Sequence, residues 1–420
     1  MWLVRRGCCK GWEKGSCNFF FSPTPPVPTH PHHPPNIAKR APAQPEVAEL
    51  LTVMSSRATA LATALCRGDR LALSRALTLV ESRHPRNRAD ATALLSSVLL
   101  TRRQQQQQHL AATAAADAAA NATATGAAAA SSLRIGISGP PGTGKSTLIE
   151  SLGGELLSRG HRLAVLAVDP SSQRSGGSIM GDKTRMSTLS ADRRAFIRPS
   201  PSQGVLGGVA RRTSDAVLCC EAAGYDRLIV ETVGVGQSEI AVAGLVDMFV
   251  LLVPPAAGDG LQGVKRGIME LADLVVVTKA DGKLEAVAGV MAQDVRSALR
   301  VLRPRSRAWT PRVIRTSVVK EAPKGRGPMA QLADVIDEFR VAMEPTGELS
   351  ARRREQAGRA VWEHASVELL ERLAATPEVE RMLVALGERT AAGELSVGQA
   401  GAAAAEWLSS GVGEREWRGG

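Results

Sequence analysis

Eight consecutive residues, Gly139 to Ser146, form the part of this chain best suited to chemistry. Their sequence, GPPGTGKS, fits the phosphate-loop pattern G-x-x-x-x-G-K-[ST]. Glycines in such a loop let backbone N–H groups converge on a phosphate, Lys145 adds a full charge, and the Ser146 hydroxyl suits Mg²⁺. The pattern predicts a nucleoside triphosphate site. The residues expected to contact the nucleotide here are Gly139, Pro140, Pro141, Gly142, Thr143, Gly144, Lys145, Ser146 and Thr147.

The segments flanking this loop supply the context that the pattern requires. Residues 133–138 are a short apolar run that predicts a buried strand, and residues 147–157 have the apolar spacing of a helix. A helix that begins at the loop would direct the positive end of its dipole at the phosphate. Strands and helices alternate over 132–345, so we expect a P-loop NTPase domain with a parallel α/β sheet there.

A second motif predicts the preferred base. The sequence from Thr278 to Asp281 is TKAD, which follows an apolar run and fits the [NT]-K-x-D motif of GTPases. The Asp281 carboxylate can accept two hydrogen bonds from guanine, whereas adenine would present it with an acceptor. We expect Lys279 along the base and a backbone amide of Ser317 or Val318 near its carbonyl. A helix N-cap is the alternative role for Asp281.

Two acidic residues follow further predicted strands. Asp169 ends one strand, and Glu231 ends another as a Walker-B type carboxylate, with Gly234 in the position that contacts the γ-phosphate. Ligands bind outside the carboxyl ends of parallel strands, so both side chains should face the nucleotide. The Gly-rich loop 176–185, which contains Asp182, has no helical or strand period and predicts a switch loop. A solvated surface loop is the alternative.

The rate of hydrolysis can also be anticipated. Val235 follows Gly234 directly, where Ras-like GTPases have a glutamine that orients the attacking water. Gln237 lies two residues further on, which places it less favourably. We therefore expect slow intrinsic hydrolysis that a partner accelerates.

Several of these segments together resemble a known family. Four of them resemble the MeaB/ArgK/MMAA family of GTPases: residues 167–172, 176–186, 196–199 and 230–239. Residues 257–265 are similar to an additional switch loop of that family. The resemblance covers roughly 46–100 and 132 to the C-terminus. This chain departs from the family in having Thr278 for the commoner Asn, and Gly260 where an acidic residue is frequent.

The resemblance implies an architecture and a function. The fold would be a SIMIBI-like G domain with N-terminal helices over 46–103 and a C-terminal helical dimerisation arm over 346–420. Members hydrolyse GTP to GDP and phosphate and act as chaperones of methylmalonyl-CoA mutase, where they gate cobalamin loading and protect or reactivate the enzyme. The chain would then be a homodimer with the mutase as its partner, and cobalamin adenosyltransferase as a possible second one.

The resemblance also implies roles for individual residues. Lys145, Asp182 and Glu231 would be the catalytic residues. The ligands of Mg²⁺ and of the attacking water would be Ser146, Asp169, Asp182 and Glu231.

Two other functions remain open from the motifs alone. A GTPase that delivers nickel would need a cluster of His and Cys ligands near the nucleotide loop, and the body of the chain has no such cluster in its sequence. A small-molecule kinase would need an acceptor pocket and an adenine-type base site, against which Asp281 argues.

The first 45 residues differ in composition from the rest. They contain six basic residues but only one acidic residue, Glu13, and proline-rich runs interrupt the segment. A basic, acid-poor leader without a long apolar core predicts an organelle transit peptide over 1–45. With the family resemblance, this leader implies the mitochondrial matrix.

Two further segments have distinctive patterns. Residues 104–131 combine a glutamine run with an Ala/Thr tract, which predicts a low-complexity linker because few large apolar groups offset the entropy of ordering. An Ala-rich helix is the alternative. The C-terminal region predicts helices with an apolar stripe that could contact a second subunit or pack within the chain: Val361, Leu369, Leu373 and Leu383.

Composition argues against several classes of partner. The net charge is +11, but the leader contributes about five of those charges, and aromatic residues make up only 3% of the chain, so platforms for stacking bases are missing. Five arginines between Arg303 and Arg315 could bind phosphates or an acidic partner, or form a solvated connection. No apolar run reaches the ~18–20 residues of a membrane-spanning helix. Cys219 and Cys220 lie in an apolar helical run and should pack in the core.

Overall fold

A computed structural model describes most of the chain from residue 56 on. The described ranges are residues 56–82, 84–119, 132–169, 186–201, 206–232, 238–255, 266–318 and 327–409. All of them belong to one compact unit, Val53–Gly420. The predicted transit peptide, the loop 176–185 with Asp182, Gly234, and the loop 257–265 lie outside the described residues.

Three helices precede the sheet. They are α1 (Ser56–Cys66), α2 (Arg70–Val80) and α3 (Pro85–Ala119). Helix α2 begins after Asp69, whose carboxylate accepts hydrogen bonds from the backbone N–H groups of Leu71 and Ala72 at 2.7 and 3.1 Å. This N-cap satisfies two of the donors that a helix start leaves unpaired.

The structure has a helix over part of the segment 104–131, for which a linker is predicted. Helix α3 continues through the glutamine run and ends at Ala119, so the alternative prediction of an Ala-rich helix holds for residues 104–119. Alanine and glutamine are good helix formers, and this stretch contains neither Gly nor Pro to end the helix. Low-complexity composition therefore does not exclude regular structure here. Residues 120–131 lie outside the described ranges.

Within the described ranges, seven parallel strands form one sheet. The strands are β1 (Leu133–Ser138), β2 (Leu163–Asp169), β3 (Ala195–Pro201), β4 (Arg227–Thr232), β5 (Met248–Val253), β6 (Leu274–Val277) and β7 (Arg312–Arg315). Their order is β3-β2-β4-β1-β5-β6-β7. The predicted parallel α/β sheet is confirmed, and β1 lies at its centre, between β4 and β5.

Helices cover both faces of this sheet. They are α4 (Lys145–Ser158), α5 (Ser187–Ala191), α6 (Leu206–Ala222), α7 (Ser238–Ala243), α8 (Arg266–Met269), α9 (Glu285–Val301) and α10 (Pro328–Met343). Alternate strand residues enter two separate apolar cores, one shared with α1, α2, α3 and α6 and the other with α4 and α10. Cys219 and Cys220 are fully buried in the first core, as predicted, and burial raises the pKa of Cys219 to about 12.

The C-terminal region consists of α11 (Glu348–Ala374), α12 (Pro377–Ala391) and α13 (Val397–Ser409). Two arginines attach α11 to the edge of the sheet where the strands begin. Arg353 contacts buried Asp247, just before β5, at 2.5 Å, and Arg352 contacts buried Asp273, just before β6, at 3.0 Å. Because unpaired buried carboxylates are costly, these ion pairs hold the start of α11 in place.

The remainder of α11 leaves large apolar side chains on its surface. Of the predicted stripe, Val361, Leu369 and Leu383 are 69%, 59% and 48% exposed. Leu373 instead packs on a small cluster formed by α12 and α13. Although α3 and α11 are long, no described helix is both long and apolar enough to cross a membrane.

Candidate nucleotide site

The loop between β1 and α4 has a backbone that only glycine tolerates easily. Gly139, Gly142 and Gly144 have φ angles of 157°, 78° and 86°. A side chain at Gly139 would also place its Cβ 2.5 Å from the carbonyl oxygen of Leu252. These glycines therefore fold the loop around the head of α4, whose first N–H groups are free to bind an anion.

Lys145 lies in the first turn of α4 with its side chain turned back over the loop. Its ammonium donates to the carbonyl oxygens of Gly139 at 2.8 Å and Pro140 at 3.2 Å. Burial lowers the pKa of Lys145, and the carboxylates of Glu231 and Glu239 oppose this by raising it. The charge is thus held at the loop, where a phosphate could replace the carbonyl partners.

Ser146 and Glu231 meet because β1 and β4 are neighbours. Ile137 pairs with Glu231 in the sheet, so the loop after β1 begins beside the end of β4. The Ser146 hydroxyl donates to Glu231 Oε1 at 3.2 Å, and Glu231 is only 2% exposed. A hydroxyl and a carboxylate side by side are hard oxygen donors of the kind that Mg²⁺ prefers.

The arrangement therefore fits Mg²⁺, with Ser146 and Glu231 as the protein groups that would hold it. When bound, the ion would neutralise phosphate charge. Asp169 ends β2, next to β4, but its side chain is not described, and Asp182 lies outside the described residues. Among the described side chains, no group of three or more His, Cys, Asp or Glu is placed to hold a metal by itself.

Glu239 is a candidate site residue that sequence reasoning had not singled out. It is 2% exposed in the first turn of α7 and acts on Lys145 electrostatically. A buried acid in the first turn of a helix is stabilised by the helix dipole. The sequence signal was its position in the segment 230–239, where an acid follows a serine that begins a helix.

The predicted base-binding residues come together beyond the ends of β6 and β7. The Ala280 N–H donates to the carbonyl oxygen of Thr316 at 3.0 Å, which joins the segment of Thr278 to the segment of Ser317. Lys279 has a φ angle of 53°, an uncommon conformation for a residue other than glycine and one often found at binding sites. Val318 is 40% exposed at the end of this segment.

Asp281 does not act as an N-cap through its side chain. It precedes a short 3₁₀ turn, Gly282–Leu284, but its carboxylate makes no capping hydrogen bond. A cleft of about 490 Å³ lies nearby, lined in part by Ala280, Thr316 and Ser317. The carboxylate thus remains available to a ligand, which favours the base-binding role over the capping alternative.

All described site residues lie at one edge of the sheet. The phosphate loop follows β1, Glu231 ends β4, and the two base segments follow β6 and β7. This edge carries the carboxyl ends of the parallel strands, where ligands of such sheets bind. The order of the segments along the edge suits a nucleotide, with phosphates at β1 and a base beyond β6.

Comparisons with known proteins agree with this geometry. The family model described as methylmalonyl Co-A mutase-associated GTPase MeaB matches residues 110–378. A mouse protein named methylmalonic aciduria type A homolog, mitochondrial, is 47% identical over 340 residues, which cover 81% of this chain and 77% of the mouse protein. A probable GTPase of Mycobacterium bovis is 46% identical over 336 residues, covering 80% of this chain and 90% of its own.

A solved structure extends the agreement to the fold. The crystal structure of a LAO/AO transport system kinase superposes with a TM-score of 0.61 at 31% identity, covering 85% of this chain and 100% of the other. Sequence motifs, site geometry and relatives all agree. The chain belongs to the MeaB family and is a P-loop GTPase that binds GTP and GDP.

Proposed function

We propose that this chain is a Mg²⁺-dependent GTPase that acts as a chaperone of methylmalonyl-CoA mutase. The observation that carries the proposal is a nucleotide site with Lys145, Ser146 and Glu231 together, in a chain whose family is described as mutase-associated. In that role it would gate loading of the cobalamin cofactor and protect or reactivate the mutase. Cobalamin adenosyltransferase, as the source of the loaded cofactor, is the second partner proposed.

The proposed roles follow from chemistry at each position. Lys145 neutralises phosphate charge in both the bound and the reacting state, so it should mainly control affinity. Ser146 and Glu231 hold Mg²⁺, and Asp281 selects guanine. Asp182 completes the set as a group that positions the attacking water.

For four positions the proposed roles come from the sequence, because these residues, or for Asp169 its side chain, lie outside the part of the chain that the structure describes. Asp169 and Asp182 contribute to the Mg²⁺ and water shell, Gly234 contacts the γ-phosphate, and Val235 makes intrinsic hydrolysis slow. A slow GTPase suits a timer, because the time spent in each nucleotide state then depends on a partner.

We further propose that the chain forms a homodimer through α11 and acts in the mitochondrial matrix. Exposed Val361, Trp362, Leu369 and Leu370 on α11 support an interface, because single helices seldom leave so many large apolar groups in water. The basic leader over 1–45 and a relative named as mitochondrial support the location.

Nucleotide-dependent binding to the mutase tests this proposal. The purified chain and a methylmalonyl-CoA mutase should co-elute in size-exclusion chromatography, with a stability that differs between GDP and a non-hydrolysable GTP analogue. The Lys145→Ala variant is the matched control, because it should keep the fold but lose the dependence on nucleotide. If the two proteins do not co-elute with GDP or with the GTP analogue, the chaperone role is contradicted and only the GTPase activity remains.

A further inference from the structure

A cleft of about 600 Å³ beside strand β7 is lined by a set of arginines that the nucleotide site does not use. β7 is the outermost strand on its side of the described sheet. The arginines lining the cleft are Arg296, Arg300, Arg303, Arg305 and Arg312. Over residues 295–318 the sequence contains seven arginines and no acidic residue. Sequence alone left two alternatives for this region, a solvated connection and a site for phosphates or an acidic partner.

Two of the arginines are fixed parts of the wall. Arg312 forms an ion pair with Glu338, and its guanidinium carbon lies 4.5 Å from the ring centre of Trp309. Arg305 donates to the carbonyl oxygen of Leu271 at 2.5 Å and lies 3.8 Å from the carboxylate of Asp273. Glu338 thus pairs the charge of Arg312, whereas Arg305 shares the carboxylate of Asp273 with Arg352.

The other three arginines have no carboxylate partner among the residues that the structure describes. Arg296 donates to the carbonyl oxygen of Val313 at 3.2 Å. Among the described residues, Arg300 and Arg303 have neither an ion pair nor a hydrogen bond to their side chains. The acidic residue that lines the same cleft is Glu270. The walls therefore carry an excess of positive charge, which an anion would relieve.

The floor of the cleft is apolar. Met269 and Val335 are buried there, and Leu299 and Leu302 line it. Guanidinium groups around an apolar floor suit an organic anion better than an inorganic ion. The phosphates of such a ligand can pair with the guanidinium groups, and its organic part can cover the apolar floor. The volume also lies within the range of small-molecule sites.

One feature of this region argues against an acidic peptide, and a second limits which groups can supply affinity for an anion. The carbonyl of Val313 is already taken by Arg296, so an acidic peptide adding as a strand along β7 would find that acceptor occupied. The cleft also lies at the C-terminal end of α9, whose carbonyl groups repel anions. Affinity for an anion must therefore come from the guanidinium groups.

We propose that this arginine cleft is a second ligand site, which binds a small organic molecule carrying two phosphate groups. Arg300 and Arg303 pair with the phosphates, and Met269 and Val335 support the body of the ligand. The cleft adjoins the one near Thr316 and shares Arg296 and Val313 with it. Its lining contains neither the phosphate loop nor residues 278–281, so a nucleotide held by those segments leaves Arg300 and Arg303 accessible.

Calorimetry on the full-length protein loaded with one equivalent of GDP and Mg²⁺, after unbound GDP has been removed, tests the proposal. The probe is adenosine 3′,5′-bisphosphate. GDP fills the phosphate loop, and the adenine of the probe is disfavoured at Asp281. We expect one bisphosphate to bind per chain and the Arg300→Ala/Arg303→Ala variant to bind it at least roughly ten-fold more weakly. Both side chains are exposed, so the variant should fold, and its unchanged GDP affinity would establish that it does.

The matched control is Arg307→Ala/Arg354→Ala, which removes the same charge from two exposed arginines outside the cleft. It should bind the probe as the parent does. An equal loss in the control or no binding to the GDP-loaded parent would each overturn the proposal. If the parent binds a poly-glutamate peptide and does not bind the bisphosphate, the proposal is also overturned, and an acidic protein partner is favoured.

Discussion

At the scale of single residues, we propose that base selection depends on the carboxylate of Asp281. Because this carboxylate makes no capping bond, its substitution should affect the nucleotide and leave the fold intact. Asp281→Asn replaces one acceptor by a donor and leaves a guanine N–H unpaired, which should cost about 2–4 kcal/mol of GDP binding.

Calorimetry with several nucleotides checks this prediction. The parent should bind GDP far more tightly than ADP, and the variant should gain affinity for xanthosine diphosphate, whose base offers the complementary acceptor. Equal affinities of the parent for ADP and GDP would contradict the assignment of the base site.

Lys145 and Glu231 should have separable effects on the reaction. Lys145→Ala removes the charge that lies over the phosphate loop and that we propose contacts phosphate in the ground state, so nucleotide binding itself should be lost. Glu231→Gln keeps the shape of the side chain but weakens its hold on Mg²⁺, so GTP should still bind while turnover slows and needs more Mg²⁺.

Binding of a fluorescent GTP analogue and phosphate release, each measured over a range of Mg²⁺ concentrations, distinguish these effects. Parent-like turnover and Mg²⁺ dependence in Glu231→Gln would show that the carboxylate has no part in metal binding.

At the scale of elements, Glu221 in α6 joins parts of the chain that are distant in sequence. It contacts Arg134 of β1 at 2.8 Å, Ser132 at 2.6 Å and Arg102 of α3 at 3.2 Å, and its side chain is 4% exposed. Burial alone raises the pKa of Glu221, but Arg134 and Ser132 outweigh this and lower it from 4.5 to about 2. The ion pairs therefore stabilise the junction when the carboxylate is charged.

The sign of the pH dependence follows from this lowered pKa. The stabilisation is complete above the unfolded value of 4.5 and is lost as the pH falls towards about 2. Glu221→Gln should thus lower the free energy of unfolding by about 2–3 kcal/mol at neutral pH, and the difference from the parent should shrink in acid. Urea unfolding at a series of pH values measures this difference, and a constant difference would contradict the account.

Elements close to the nucleotide motifs could be predicted from sequence. The phosphate loop requires a strand before it and a helix after it. Asp281 follows a short apolar run rich in valine, which favours a buried strand over a helix. These relationships are local, so the residues that carry them lie within a few positions of one another.

The contacts of α11 could not be predicted in this way. Arg353 and Asp247 are 106 positions apart, and Arg352 and Asp273 are 79 positions apart. Nothing in the sequence near either aspartate indicates that it is buried and paired. The helix over 104–119 was only the alternative to a linker for another reason, since a composition typical of linkers also has high helix propensity.

At the scale of the whole molecule, the exposed face of α11 predicts self-association. Trp362 is 70% exposed and Leu369 is 59% exposed, although both are large and apolar. Trp362→Glu should convert a dimer to a monomer without loss of secondary structure, because the side chain has few contacts within its own chain. Light scattering after size-exclusion chromatography measures the mass.

Val290→Glu is the control for this variant, since Val290 is 64% exposed on α9, away from α11. It should leave the mass unchanged. A monomeric parent at micromolar concentration would refute the proposed dimer.

The proposed activity of the whole chain depends on both the nucleotide site and the partner. The chain binds GTP, while Val235 lacks the side chain that orients water in faster GTPases. A chaperone whose nucleotide state is read by its client must, by linkage, be affected by that client in return. The mutase should therefore change the rate at which the GTPase works.

The most direct test of this account is the rate of GTP hydrolysis by the purified chain, measured with and without methylmalonyl-CoA mutase. The account predicts slow turnover for the chain alone and an acceleration of roughly ten-fold or more when the mutase is added. The Lys145→Ala variant should hydrolyse no GTP, either alone or with the mutase. An unchanged rate at mutase concentrations well above that of the chain would contradict the chaperone role.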